Sequence, residues 1–456
     1  MDPLEFLTEE FENVKRALKE TLRHDYIPER SQEYYDECGA RLTEIKKAIS
    51  VVDPGNLQKI AALLDELSHL ANWISLIERS HLGEFSWPFA AQLDRLARAL
   101  LAEQNMAGDR LEPIIHVVAE GLGYRIIYEP QVPASSGRRR FVVVAFPRSL
   151  KHHVLLHAIF GHELAHTALH TGAAGGVLHG AVVPALTAAG PISTNADINA
   201  WLNDAAAPQE IRDALANYAA TYQSAYALHD YYREQWLKEL ICDLFGLLLF
   251  GPAFLAAHCA LLKPTHPRPY EVDLSEPTHP PYAVRHKMLV RVMQLVGWDA
   301  PVTAGGHTPF HNAEQELLGY ILQDPYAPWA RVFTDAQLTN AIGAVRGLFK
   351  SQPGIGYSRS DVQILETLVR RLVDGIPPVI VDIDDWGEPY PHLIDISQTL
   401  YAGWLFWLGR NHLPNHVPDN FLDTNKLCDM ALLQQRAINI AITPGELEWR
   451  SWVDKP

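Results

Sequence analysis

The chain has 456 residues and a formal net charge of −16, with 48% of residues hydrophobic and 20% charged. That composition supports a large buried core and excludes wholesale disorder, and the length allows two or three domains. The surplus of negative charge repels phosphate backbones, so nucleic acid is not expected as a partner.

Apolar residues at steps of three and four predict helices over Leu4–Leu22, Glu33–Val52, Leu57–Ile77 and Phe89–Leu101. Pro28, the Asp53-Pro54-Gly55 turn and Pro88 separate them, giving a helical bundle over residues 1–110 in which nothing suggests chemistry. The N-terminus lacks the basic start and apolar run of a signal peptide. A short helix is expected over Pro113–Glu120, followed by strands Tyr124–Tyr128 and Phe141–Phe146 paired as a hairpin. Arg138, Arg139 and Arg140, beside Ser135, Ser136 and Gly137, read as a solvated turn rather than a binding patch. Helices are predicted again over Leu150–His170, Pro208–Leu228 and Tyr231–Phe250, with the Gly- and Ala-rich Thr171–Ser193 as a mobile loop.

Leu240–Leu262 is long enough to span a bilayer, but Asp243, His258 and the Gly251-Pro252 interruption favour a buried helix with a break. No stable membrane insertion is therefore expected. A proline-rich stretch precedes a helix over Ala283–Val296, and further helices are expected over Asn312–Leu322, Asp335–Phe349, Asp361–Val373 and Lys426–Ile442, with Pro377–Asp384 as one strand. The predicted fold class is mainly α with a small β-sheet (α+β): a central domain over residues 111–300 between the N-terminal bundle and a mostly helical region over 301–456. Cys38, Cys242, Cys259 and Cys428 form no CxxC unit and read as free thiols in a reducing, cytoplasmic compartment.

One segment carries chemistry. His162-Glu163-Leu164-Ala165-His166 places two imidazoles four residues apart, on one helical face, where they converge on one ion. Zinc accepts such nitrogens and keeps a water in catalytic sites, and Glu163 can reach that water as general base without occupying the metal. His170 lies too far along the axis to share the ion with both. The third ligand must come from elsewhere: the metzincin pattern fails, because Leu169 and Gly172 stand where it needs glycine and histidine. Glu239 is the candidate, with a solvated helix charge as the plainer alternative; Glu234 reads as solvated. Asp243, one turn after Glu239 among leucines and phenylalanine, needs a partner, and the second N–H of a metal-bound histidine would supply it.

His162-Glu163-xx-His166 followed by Glu239-xxx-Asp243 resembles the gluzincin group of zinc metallopeptidases. Within it, the hairpin, the His162–His170 run and the later Gly251-Pro252 are similar to ImmA/IrrE-type soluble peptidases. Thr278-His279-Pro280-Pro281 with Arg285 resembles a segment of the HtpX and CAAX-prenyl-protease family, in which the matching histidine lies near the zinc and the arginine follows at a helix start. The resemblance covers about residues 115–295 and implies a zincin-like core, Zn2+ as cofactor and a protein or peptide substrate. It also implies Arg285 behind the ligands with Asp243. His279 and Tyr282 would then be donors to a reaction oxyanion, His279 alternatively the occupant of the open zinc position, against a plain reading as a proline-rich turn. Phe141–Phe146, just before the zinc helix, would offer an edge to an extended peptide. The expected function is zinc-dependent peptide-bond hydrolysis. The competing expectation is a zinc-stabilised regulatory or interaction protein with latent or absent proteolysis, against which the presence of Glu163 weighs.

Overall fold

The computed structural model describes residues 2–21, 28–80, 87–104, 110–119, 121, 123–129, 138–150, 153–170, 172–187, 209, 213, 234–264, 269, 278–302, 309–326, 331–350, 355–358, 362–373, 380–383, 389–392 and 396–408. Helices dominate them, with a small mixed sheet of three strands, in agreement with the predicted class. The chain divides into two compact units, residues 1–85 with 97–151, and residues 86–96 with 152–456.

In the first unit, helices α1 (Pro3–Thr21), α2 (Pro28–Val51) and α3 (Leu57–Ser80) follow the predicted periodicity. Leu7, Phe11, Val14 and Leu18 are spaced along one face of α1 and buried with Tyr34, Cys38, Ile60, Leu67 and Ile74. Helix α4 (Trp87–Leu101) is divided between the units, its residues up to Leu96 belonging to the second. After the short β1 (Glu103–Gln104) and β2 (Arg110–Leu111), the sheet consists of β3 (Ile114–Ala119), β4 (Arg125–Tyr128) and β5 (Phe141–Phe146), in the order β3-β5-β4.

The helix expected over Pro113–Glu120 is therefore a strand. Its six residues are mostly β-branched and pair in parallel with β5, from Ile114 opposite Phe141 to Ala119 opposite Phe146. The isolated segment is too short to hold a helix against that pairing. The expected hairpin is present, β4 running antiparallel to β5. Every residue of β5 is buried, and both its edges are taken, so the expectation that it offers an edge to a peptide is overturned. Its central place is what its unbroken apolar run signals.

The three arginines are also not a solvated turn. Arg138 pairs with Glu44 and, at 2.8 Å, Glu66; Arg139 with Glu33 at 3.0 Å; Arg140 with Glu103 at 3.0 Å. The cluster is neutralised by acidic groups of its own unit.

In the second unit, the predicted Leu150–His170 helix becomes a 3-10 turn, Val154–Ile159, running into α5, Phe160–Leu169. The expected loop is helical as far as it is described: α6 (Gly172–Val177), a π turn (Leu178–Val182) and α7 (Val183–Thr187). Leu178, Val182 and Leu186 are buried there, an apolar face at four-residue steps that the small residues between them dilute.

Residues 234–250 form α8, buried on all sides from Glu239 onward and apolar there apart from Glu239 and Asp243. It ends at Gly251, whose φ of 62° and whose contact with the Tyr357 ring, 2.4 Å from where a Cβ would sit, leave no place for another residue type. Pro252 then opens α9 (Pro252–Leu262), so the predicted break is present. Helix α10 covers Tyr282–Leu295, followed by α11 (Pro309–Ile321), α12 (Asp335–Lys350), α13 (Val362–Val373), the strands β6 (Ile380–Ile383) and β7 (Pro389–His392), and α14 (Ile396–Leu408). Sequence periodicity missed α14, which is buried around most of its first three turns, and β7, which carries two prolines. No described helix is long and apolar enough to cross a membrane. The helix expected over Lys426–Ile442, most of Pro208–Leu228, Cys428 and residues 188–193 lie outside the described residues.

Candidate metal centre

Helix α5 puts His162 and His166 on one face, their rings 4.7 Å apart and steeply inclined, their Nε2 atoms 3.0 Å apart. Glu239 reaches across from α8: its Oε2 lies 3.1 Å from His162 Nε2 and its Oε1 3.2 Å from His166 Nε2. Ligand atoms of the three residues all fall within 4.8 Å of one another, a spacing that can hold a metal ion. His162 and Glu239 are buried, and His166 keeps 35% of its side chain exposed, so the group has a closed side and an open one.

The donor set fits a cation. His162 Nδ1 lies 2.8 Å from Asp243 Oδ1, which can only accept, so Nδ1 carries a proton and Nε2 is the nitrogen left for an ion. Glu239 Oε2 is buried and has no hydrogen-bond partner, although His162 Nε2 and His279 Nε2 approach to 3.1 and 3.3 Å. Imidazole nitrogens and a carboxylate thus crowd together at ion-pair distance. A proton can bridge one such pair, whereas a cation satisfies all three groups together.

Asp243 is completely buried on α8 and gripped from two sides. Arg285, near the start of α10, donates from Nε to Oδ2 and from Nη2 to Oδ1, both at 2.7 Å. Burial disfavours the Asp243 charge, but the guanidinium and the His162 hydrogen bond outweigh it and hold the carboxyl far below its usual range. Burial likewise opposes the charged form of His162; its hydrogen bond to the Asp243 carboxylate and the nearby Glu239 carboxylate win, and its pKa is raised to about 9. A metal ion entering here displaces that proton. Burial pushes Glu163 up from the ordinary glutamate range, with the opposing charge of His162 the next influence.

Of the residues singled out from sequence, His162, His166, Glu239, Asp243 and Arg285 come together with Glu163 adjacent. His279 Nε2 lies 3.3 Å from Glu239 Oε2, and His279 is not among the three residues whose ligand atoms fall within 4.8 Å of one another. Glu234 is exposed and pairs with Lys238 at 2.9 Å. Tyr282 does not join them as a donor. It is 2% exposed, its hydroxyl 3.5 Å from His286 Nδ1 and hydrogen-bonded to Cys259, so burial and prior partners remove it from any substrate.

Sequence reading missed the glycines that let the helices meet. A Cβ on Gly161 would stand 2.8 Å from the Cα of Gly246 and 3.0 Å from the Phe250 ring. The backbones of α5 and α8 therefore touch one residue before His162 and three after Asp243, which brings Glu239 within reach of both histidines. A glycine inside each of two strongly helical segments was the available signal. Gly161→Ala is expected to cost about 1–3 kcal/mol in urea unfolding, because one obstacle is backbone that cannot rotate away. It should also weaken metal binding, as a chelator competition would show.

No protein-family model, curated protein or solved structure matches the chain.

Proposed function

We propose that the chain is a zinc-dependent metallopeptidase, with His162, His166 and Glu239 holding the metal and Glu163 as general base. The observation that carries the reading is the convergence of those three side chains within 4.8 Å, on a helix that also bears Glu163. Two nitrogens and one carboxylate with an open fourth position make a donor set suited to catalytic zinc. Zinc bound there would supply a Lewis acid that polarises a carbonyl and makes water acidic near neutral pH.

The chain's own residues supply the rest. Asp243 keeps the His162 proton on Nδ1, and Arg285 keeps Asp243 charged and aimed. Glu163, raised by burial, takes a proton from the attacking water and returns it to the leaving amine. His279, half-exposed beside Glu239, is placed to donate to the oxygen of the carbonyl under attack. The open side at His166 suits a peptide substrate that approaches from solvent. The unpaired buried thiols Cys38, Cys242 and Cys259 support a reducing, cytoplasmic setting.

Elemental analysis of the purified full chain should find one zinc per molecule, none in the His162→Ala/His166→Ala double variant, and wild-type content in Glu234→Ala. Equal zinc in wild type and the double variant rejects the site.

A further inference from the structure

Tyr282 stands three residues after His279 and three before Arg285, at the first turn of α10. Its ring lies nearly parallel to two imidazoles: His258 of α9 at 5.5 Å and 18°, and His286 of α10 at 5.6 Å and 21°. Tyr326 closes the group edge-on at 5.9 Å. His286 Nε2 bonds to the Gln323 carbonyl at 2.9 Å, so that nitrogen carries the proton and Nδ1 accepts, facing the Tyr282 hydroxyl and the Cys259 thiol. His258 is fully buried with neither ring nitrogen hydrogen-bonded among the described residues; what it offers Tyr282 is a ring face.

We infer that Tyr282 is a positioning residue, whose ring, held between His258 and His286, fixes the first turn of α10 and so aims Arg285 at Asp243 and His279 at Glu239. The inference rests on the metal-centre reading above. Arg285 holds Asp243 through two parallel hydrogen bonds, a geometry that tolerates little rotation of the guanidinium plane. Both partners are buried, so no solvent takes over if the aim is lost. On the other side, Pro280 and Pro281 fix two backbone angles between Tyr282 and His279, and displacement of the ring travels to the imidazole through a stiff link. The same side chain thereby serves both the residue behind the ligands and the one in front of them. Its hydroxyl, turned to Cys259 and His286, takes no part in the chemistry.

The test compares zinc affinity, by chelator competition on the full chain, for Tyr282→Leu and Tyr282→Phe. Tyr282→Leu, which removes the stacked ring, should bind zinc roughly 10-fold more weakly, the lower end of what loss of a ligand's support costs. Tyr282→Phe keeps the ring and should restore affinity and turnover. Added to Arg285→Ala, Tyr282→Leu should weaken zinc no further, because its effect runs through Arg285. If Tyr282→Leu does not fold, His258→Leu removes the opposing ring and should weaken zinc likewise, with His258→Phe restoring it.

Three results overturn the inference: unchanged affinity in the leucine variants, multiplying effects in the double variant, or a Tyr282→Phe protein that binds zinc normally and does not turn over. The His162 Nδ1–H resonance of metal-free, histidine-labelled protein, assigned by its loss in His162→Ala, gives a readout that needs no zinc. Tyr282→Leu should shift it and Tyr282→Phe should not. A wild type that binds no zinc rejects the metal reading, whereas an unmoved resonance rejects the positioning role.

Discussion

Glu163→Gln should retain zinc and stability while losing about 10²–10⁴-fold in peptide hydrolysis, the usual contribution of a positioned base. The amide matches the carboxylate in size but cannot accept a proton from water at neutral pH. Glu163 is not among the three converging ligands, so its loss leaves the donor set intact. The comparison also separates the two functions that the same metal site can serve: an idle, structural zinc would leave the variant indistinguishable from wild type in every assay. Unchanged turnover on a substrate that the wild type cleaves would assign the base elsewhere.

Arg285→Met should be the most damaging change for stability. It removes the only guanidinium facing Asp243, whose carboxylate is completely buried and otherwise bonded to His162 alone among the described residues. Leaving a buried charge without its partner costs about 3–5 kcal/mol, and urea unfolding would read it directly. Arg285→Lys should recover only part, since a single ammonium cannot reproduce the two-point grip at 2.7 Å on each oxygen. The double variant Arg285→Met, Asp243→Leu should be more stable than Arg285→Met alone, although it loses support for His162. Equal stability of Arg285→Met and wild type in urea would show that Asp243 is not held by charge.

The cluster of His162, His166, Glu239 and Asp243 was legible because helical spacing alone puts residues 162 and 166 on one face, and because a carboxylate at 243, inside an otherwise apolar helix, demands a partner. Tyr282 lies apart from the cluster in this arrangement. The resemblance implied a task shared with His279, whereas the helix begins at Tyr282 and its ring stacks on His258 of α9. A glycine in each helix marked the two positions, but that Gly161 meets Gly246 depends on how the helices cross. The strand Ile114–Ala119 was hidden because its identity comes from pairing with residues more than twenty positions on.

Cys38 is buried in the first unit, and Cys242 and Cys259 in the second. Burial raises the thiol pKa of Cys38 and of Cys259 to about 12 and that of Cys242 well above the usual thiol range, which keeps all three protonated and shielded in the folded protein. Each unit thus contains its own silent reporter. With Cys428 replaced by serine, the rate at which an alkylating reagent captures Cys38, set against the rates for Cys242 and Cys259, measures how often each unit opens. Zinc should slow capture at Cys242, whose helix carries Glu239. Whether it also slows Cys38 would tell whether the two units open as one or separately.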